Sequence, residues 1–529
     1  MLRSSLLTLA LLLAVITSHA SSQTTHRTLI SQVEANRVSL QRVWFTRARV
    51  DPARGRIAHV TQHVSSTRAN TFHVVTYDGG KLNFSEQDLD RFGNPLGKEG
   101  ARRLADRNLE DLKRLNLNPK LSTQTIPEIS LYIMTDLGMV HAIDAETGRT
   151  RWTTPVGNPN SHNEAPGAND DYVAVVNGST IFVLNQSNGK IVWRRQARGA
   201  PGAGPAVTDQ AVFVPMLNGA VESYQLTDYR RSPRILKSHG RAIVQPIYTG
   251  LNVAWPTDRG HLNVAEERRG RMRFRVETNN SILAQATKLS PGRILTVSSD
   301  GYLYCIDEMS GDILWRFSSG EPISTAPIVG GDAIYLVTDD RTLYCVSPVR
   351  GQLQWSTPGV RGFLAASEKR LYCSSTTGRL LVISAATGSR LGSLSAEALD
   401  LRVLNHQTDR IFLGSRHGVI QCLREVQQEW PHIHSGVLEE KQAKEPRKKP
   451  AGTQPAGAAG EATPPEGGDE DPFGGGDSPP AGDPDDPFGG GGDDDPFGGG
   501  GDDDPFGGDG GAGDDPFGGD SSGSSDSPF

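Results

Sequence analysis

The chain has 529 residues, of which 36% are hydrophobic and 22% charged, and a formal net charge of −7; that supplies a large core without the basic excess of a nucleic-acid-binding protein. The balance hides a split, because residues 451–529 hold 20 Asp and Glu and no Lys or Arg, whereas the residues before them hold 54 bases and 41 acids. Spread over about 430 mature residues, that basic surplus does not single out a nucleic-acid surface.

In chain order, Arg3, the apolar run Leu6 to Ile16 and the small-residue end Ser18-His19-Ala20 read as a secretory signal cleaved near Ala20, occupying residues 1–20. The mature chain is therefore expected in the periplasm or cell envelope, or secreted. No later stretch approaches the ~20 apolar residues of a membrane span, and no Cys stands near the cleavage point to take a lipid. Residues 21–121 form a leader with strand-like runs at 43–50 and 72–84, in which Trp44 is a candidate to complete a blade. A helix is predicted from about Gly100 to Leu117, since Leu104, Leu109, Leu112 and Leu115 fall near one face and Asn118-Pro119 stops it.

Residues 122–434 carry an internal repeat: a strand, a turn usually holding Gly, a second strand, then Gly and Trp. The turn anchors are Gly138, Gly178, Gly219, Gly260, Gly301, Arg341, Gly378 and Gly418, at intervals of 40, 41, 41, 41, 40, 37 and 40. Alternation such as Tyr302, Leu303, Tyr304, Cys305, Ile306 beside Asp300-Gly301 makes each unit a set of hairpins. Small sheets of that length bury their faces only by stacking, so the fold class is all-β, a propeller of about eight four-stranded blades, with seven as the alternative. Trp152, Trp193, Trp315 and Trp355 are the expected blade-docking residues, with Phe274 in the equivalent fourth slot and Gly392 in the seventh. The third unit lacks an aromatic, so these last three blades are expected to be looser. Cys305, Cys345 and Cys422 occupy equivalent positions in different units, so disulfides are not expected, and Cys373 is read with them as a small buried residue.

At Ala142, Asp144, Thr147, Gly148 and Trp152 the chain spells A-x-D-x-x-T-G-x-x-x-W and resembles the pyrroloquinoline-quinone-like (PQQ-like) β-propeller repeat family. The resemblance implies a propeller over roughly 122–434 and leaves two function classes open: quinoprotein alcohol dehydrogenases, and non-enzymatic propellers such as the outer-membrane assembly lipoprotein, whose lipid-bearing Cys this chain lacks. A PQQ-dependent dehydrogenase rests its cofactor on adjacent cysteines and holds calcium with acidic and amide side chains beside an Asp base. No two cysteines here are adjacent and no catalytic, cofactor-binding or metal residues are assignable, so neither PQQ nor calcium is expected and the chain is read as no enzyme. His432 and His434 would share a strand face, but two ligands are too few for a metal site.

After a basic linker at 435–450, residues 451–529 are Gly, Asp, Pro and Ser rich with recurring Asp-Pro-Phe, a composition that cannot form a core. Phe473, Phe488, Phe497, Phe506 and Phe517 are candidate docking residues for basic or motif-binding partners, with a purely solvating tail as the plain alternative. A calcium-binding nonapeptide repeat is disfavoured by Pro496. The expected role is an interaction or envelope scaffold binding proteins or envelope polymers through propeller loops; a structural coat is the remaining alternative.

Overall fold

The computed structural model describes residues 29–51 and 55–434. The chain divides into two units, Met1–Lys449 and Pro450–Phe529, and every described residue belongs to the first. The predicted signal, the basic linker and the five tail phenylalanines lie outside the described residues.

The described chain opens with α1 (Gln32–Asn36) and β1 (Leu40–Arg47), followed by β2 (Ile57–Tyr77), β3 (Gly80–Ser85), α2 (Gly97–Arg114), β4 (Lys120–Thr135), β5 (Met139–Asp144) and β6 (Thr150–Pro155). Blade 1 is β2, β4, β5 and β6, with β3 added beyond β2. Blades 2 to 7 are four-stranded sheets over Gly167–Gln196, Ala206–Lys237, Ile247–Glu277, Thr287–Ser318, Ile328–Pro358 and Val360–Leu394. Blade 8 takes Leu401–Arg402, Ile411–Gly414 and Val419–Glu425, then borrows β1 as its outermost strand, paired antiparallel from Leu40↔Glu425 to Arg47↔Val419. Among the described residues there are thus eight sheets, as the repeat count predicts, and the ring is closed by the leader.

The core is divided between the blades. Hydrophobic clusters join each blade to the next, and the last, with Trp44, Phe412 and Ile420 against Ile57 and Leu131, joins blade 8 to blade 1. In most joints the side chain follows one geometry. The indole of Trp44 lies on Gly148 of the next blade, where an added Cβ would come within 2.6 Å of the ring, and its Nε1 donates to Ala145 O at 2.9 Å. Trp152 lies on Gly189 and donates to Gln186 O at 2.8 Å. Trp355 lies on Gly388 and donates to Ala385 O at 3.0 Å. Trp193 donates to Leu226 O at 3.1 Å and stacks on Tyr229 with ring centroids 5.7 Å apart. Trp315 lies on Gly351 but its Nε1 has no partner.

The three units predicted to be looser each fill the joint differently. Phe274 lies on Gly311. Arg234 takes the aromatic's place in blade 3, packing against Gly270 and donating from Nη1 to Arg268 O at 3.1 Å. At Gly392 the vacated space is met by Val38, just before β1. The motif aspartate is structural too: Asp144 Oδ1 accepts from the Glu146 and Thr147 N–H groups and the Thr147 hydroxyl, capping the turn in which Gly148 adopts φ 72°.

The closing joint carries a buried ion cluster. Arg410 of blade 8, only 1% exposed, donates from Nη2 to Glu146 of blade 1 at 2.9 Å and from Nη1 to Asp409 at 3.3 Å. It also reaches Gln428 O and Glu429 O. Removing one member of such a buried set is strongly destabilising, because the others are left uncompensated. The four cysteines are free and buried.

Helix α2 starts three residues earlier than expected and ends at Arg114 rather than Leu117, because Asn116 turns left-handed (φ 57°) and the Leu117 N–H returns to Leu112 O at 3.2 Å. Ala101 and Ala105 are buried and Leu104, Leu109 and Leu112 half-buried, whereas Leu115 is exposed.

Replacing Trp193 by Ala should cost ~3 to 5 kcal/mol in a denaturant titration. The indole hydrogen bond separates two milder variants: Trp152→Phe should lose about 1 kcal/mol more than Trp315→Phe, whose nitrogen has no acceptor to lose. At the sixth turn Arg341 holds φ 72°, so Arg341→Gly should raise stability by up to about 1 kcal/mol, read as a higher melting midpoint.

Candidate functional site

In an up-and-down blade the turns between first and second strands, and between third and fourth, gather on one face of the ring. On that face the innermost strands line an axial cavity of about 600 Å³. Its wall is made by very short strands, such as Gly167–Ala168, Ala206–Val207 and Ile247–Tyr248. Crowding at the axis fixes small residues here: a Cβ on Gly204 would collide with the Ala165 carbonyl. The inner strands are laced by amides. Gln245 Nε2 donates to Pro205 O at 2.6 Å and Pro166 O at 3.3 Å, and Gln285 Nε2 donates to Gln245 O at 3.0 Å. The wall between these ties is mixed, with Ile247, Leu289, Ile328 and Leu404 beside polar residues such as Gln62, Asn169 and Gln407.

Blade 1 departs from its neighbours on this same face. Where the other blades turn from first to second strand, β2 runs on past a bulge at Val64–Ala69, and β4 returns beside it. Residues 65–128 thus form an arm: the far halves of β2 and β4, β3 paired with Phe72–Tyr77, and α2 packed on them. Its foot is fixed by Asp170, in the first turn of blade 2. Oδ1 takes His63 Nε2 at 2.9 Å and the Ser66 N–H at 3.2 Å, and Oδ2 takes the Ser66 and Thr67 hydroxyls at 2.8 Å each. Burial pushes the Asp170 carboxyl up, but the bonds from His63, Thr67 and Ser66 outweigh it and hold the group well below its ordinary value. From the other side Trp430 meets Phe72 with ring centroids 5.1 Å apart. Glu429 accepts from Lys81 at 3.1 Å and Asn83 at 3.0 Å. The arm presents Phe92 and Leu115, 73% and 68% exposed.

His432 and His434 meet edge to face with centroids 5.7 Å apart, flanking Ile433, which bridges to Thr408. His434 lines the cavity. Burial, with the neighbouring His432 and His406, pushes its imidazole down to about 4, so it is neutral at neutral pH. Among the described residues no three His, Cys, Asp or Glu side chains converge as a metal set, and the cysteines sit singly on separate strands. The expected blade-docking residues Trp152, Trp193, Phe274, Trp315 and Trp355 all lie in the joints between blades, not at the cavity.

With this geometry in place, the sequence comparison decides the family. A model described as outer membrane protein assembly factor BamB, built on PQQ-like repeats, matches residues 136–273 and 258–411, more than half of the chain. The chain belongs to that family. This PQQ-like propeller is similar to serine/threonine-protein kinase AfsK of Streptomyces griseus, 28% identical over 132 residues, which are 23% of this chain and 16% of that protein. Among solved structures it is similar to BamB from Moraxella catarrhalis, with TM-score 0.47 and 13% identity over 56% of this chain and 91% of that one. It is also similar to the computationally designed Ika8 protein, with TM-score 0.45 and 15% identity over 55% and 92% of the two chains.

The arm's foot gives a direct test. Asp170→Ala should leave the His63, Ser66 and Thr67 donors without their carboxylate at a cost of ~1 to 3 kcal/mol, read as faster amide exchange at 63–77. Because folding depresses this carboxyl, its stabilisation is complete above the ordinary value of 3.8 and declines as pH falls below it. The wild type should therefore lose arm protection on acidification, and the Ala variant should show no such pH dependence there.

Proposed function

We propose that this chain is an exported, non-catalytic β-propeller scaffold that binds a polypeptide partner on the face bearing the arm and the axial cavity. The observation that carries this reading is the replacement of one blade turn by residues 65–128, clamped between Asp170 on one side and Trp430 on the other. A 64-residue detour that the ring does not need for closure places exposed Phe92 and Leu115 on the arm, and loops held by a rigid frame are where binding residues concentrate. The motif residues, by contrast, are all engaged in turns and joints, which supports a role without chemistry, PQQ or calcium.

Export rests on residues 1–20. Among the described residues no helix is long and apolar enough to cross a membrane. The family description supports a part in assembling envelope proteins as one form of this role. Residues 451–529, with Phe473, Phe488, Phe497, Phe506 and Phe517 each in an Asp-Pro-Phe repeat, would add weak multivalent docking to the same scaffold.

A photo-crosslinking residue at Phe92 or Val349, which lines the cavity, should give one discrete protein adduct in the cell envelope. The same residue at Leu217, in a turn of the opposite face, should give none. Equal labelling from both faces would refute the assignment, and turnover of alcohols with added quinone and calcium would refute the non-catalytic reading.

A further inference from the structure

The basic surplus is not spread over the ring, as its sequence average suggested. Across the described residues Lys and Arg exceed Asp and Glu by 8, and residues 190–277 alone hold 15 bases against 7 acids, so the remainder is balanced. This segment runs from the outer edge of blade 2 through blade 4.

The structure joins these bases into one band. Arg195 of the outer strand of blade 2 donates to the carbonyls of Tyr229 and Arg231, which lead into the outer strand of blade 3. Arg234 of that strand donates to Arg268 O, beside the outer strand of blade 4. The inward arginines thus hold the three edges together. Arg194, Arg198, Arg230, Arg231, Arg268 and Arg271 around them are exposed, and none of these six forms an ion pair among the described residues. Asp228 and, at the end of the blade 4 edge, Glu277 are the exposed carboxylates beside these strands.

Two further features narrow what the band can hold. Ile191, Val192, Ile235 and Met272 are exposed between the guanidinium groups. The outer strands Ile191–Gln196, Arg234–Lys237 and Arg271–Glu277 each pair on one side only, leaving edge N–H and C=O groups open. We infer that this band is a docking surface for an extended acidic polypeptide with interspersed apolar residues. Carboxylates meet the guanidinium forks, apolar side chains cover Ile235 and Met272, and the peptide backbone adds along an open edge. A nucleic acid or polyphosphate would engage the charge but leave the apolar side chains and the strand edges unmatched.

The test is fluorescence anisotropy with a labelled 16-residue peptide of alternating Glu and Val, beside an oligothymidylate of equal charge. Both the full chain and a chain ending at Lys449 are measured, since residues 451–529 themselves bring 20 carboxylates. The peptide should bind in a salt-sensitive way and more tightly than the oligonucleotide. Arg230→Gln, Arg231→Gln, Arg268→Gln and Arg271→Gln together should weaken it about tenfold, with an unchanged melting midpoint. The same number of changes at Arg316, Arg341, Arg350 and Arg379 should have no effect. Binding seen only after truncation supports the inference and identifies residues 451–529 as an acidic occupant. Absence of binding in both chains, an unaffected band variant, or tighter oligonucleotide binding would overturn it.

Discussion

Six of the eight joints in this fold hang on a flat side chain from one blade lying against a left-handed glycine of the next. A four-stranded sheet has two apolar faces and no way to cover them alone, so each blade is stable only in the company of its neighbours. The docking side chain supplies area, and the glycine supplies the absence of a Cβ that would otherwise strike the ring, as at Gly148 beneath Trp44. The indole nitrogen then satisfies a carbonyl of the receiving turn, as Trp152 does for Gln186. One contact therefore sets spacing, orientation and hydrogen bonding at once, and the motif's Asp, Thr, Gly and Trp are its parts.

A ring also has to close, and closure cannot be made by the repeat itself because the last unit has no successor. Here β1 completes blade 8, so the two ends of the described chain are bound into one sheet. The Arg410 cluster sits at this seam. An ion pair so thoroughly buried is a poor source of net stability, but a wrong partner there would leave charges uncompensated, which favours a single closing register.

The repeat was legible because its period, its turn glycines and its tryptophans are local. Eight anchors predicted eight sheets, and the leader's Trp44 was recognisable as a blade residue. What was not legible depended on contacts far apart in sequence. Arg234 performs an aromatic's task, and nothing in residues 229–237 distinguishes it from the other arginines until Gly270 is seen beneath it. The inner end of blade 1 was hidden because β2 runs on for 21 residues, obscuring the break between its ring half and its arm half. The cavity wall did leave a trace: Pro166, Pro205, Pro246 and Pro327 recur near the repeat spacing, each just before an innermost strand. Gln245 and Gln285 mark the same level, but amides that lace backbone carbonyls have no signature of their own.

The division between repeat and departure is also a division of labour. Residues that recur in each unit are committed to building the ring, and a side chain already stacked, capped or hydrogen-bonded in a joint is not free for a partner. Specific function must then come from what does not recur: the arm in place of one turn, the arginine band on three adjacent edges, and the acidic sequence after the ring. Each adds something the closed propeller does not require. The arm is the strongest case, because an unneeded insertion would be expected to hang loosely, whereas this one is fixed at its foot by four hydrogen bonds to a single carboxylate. Rigid placement is of use only if the position of the arm relative to the cavity matters, and a docking partner that spans both is what would make it matter.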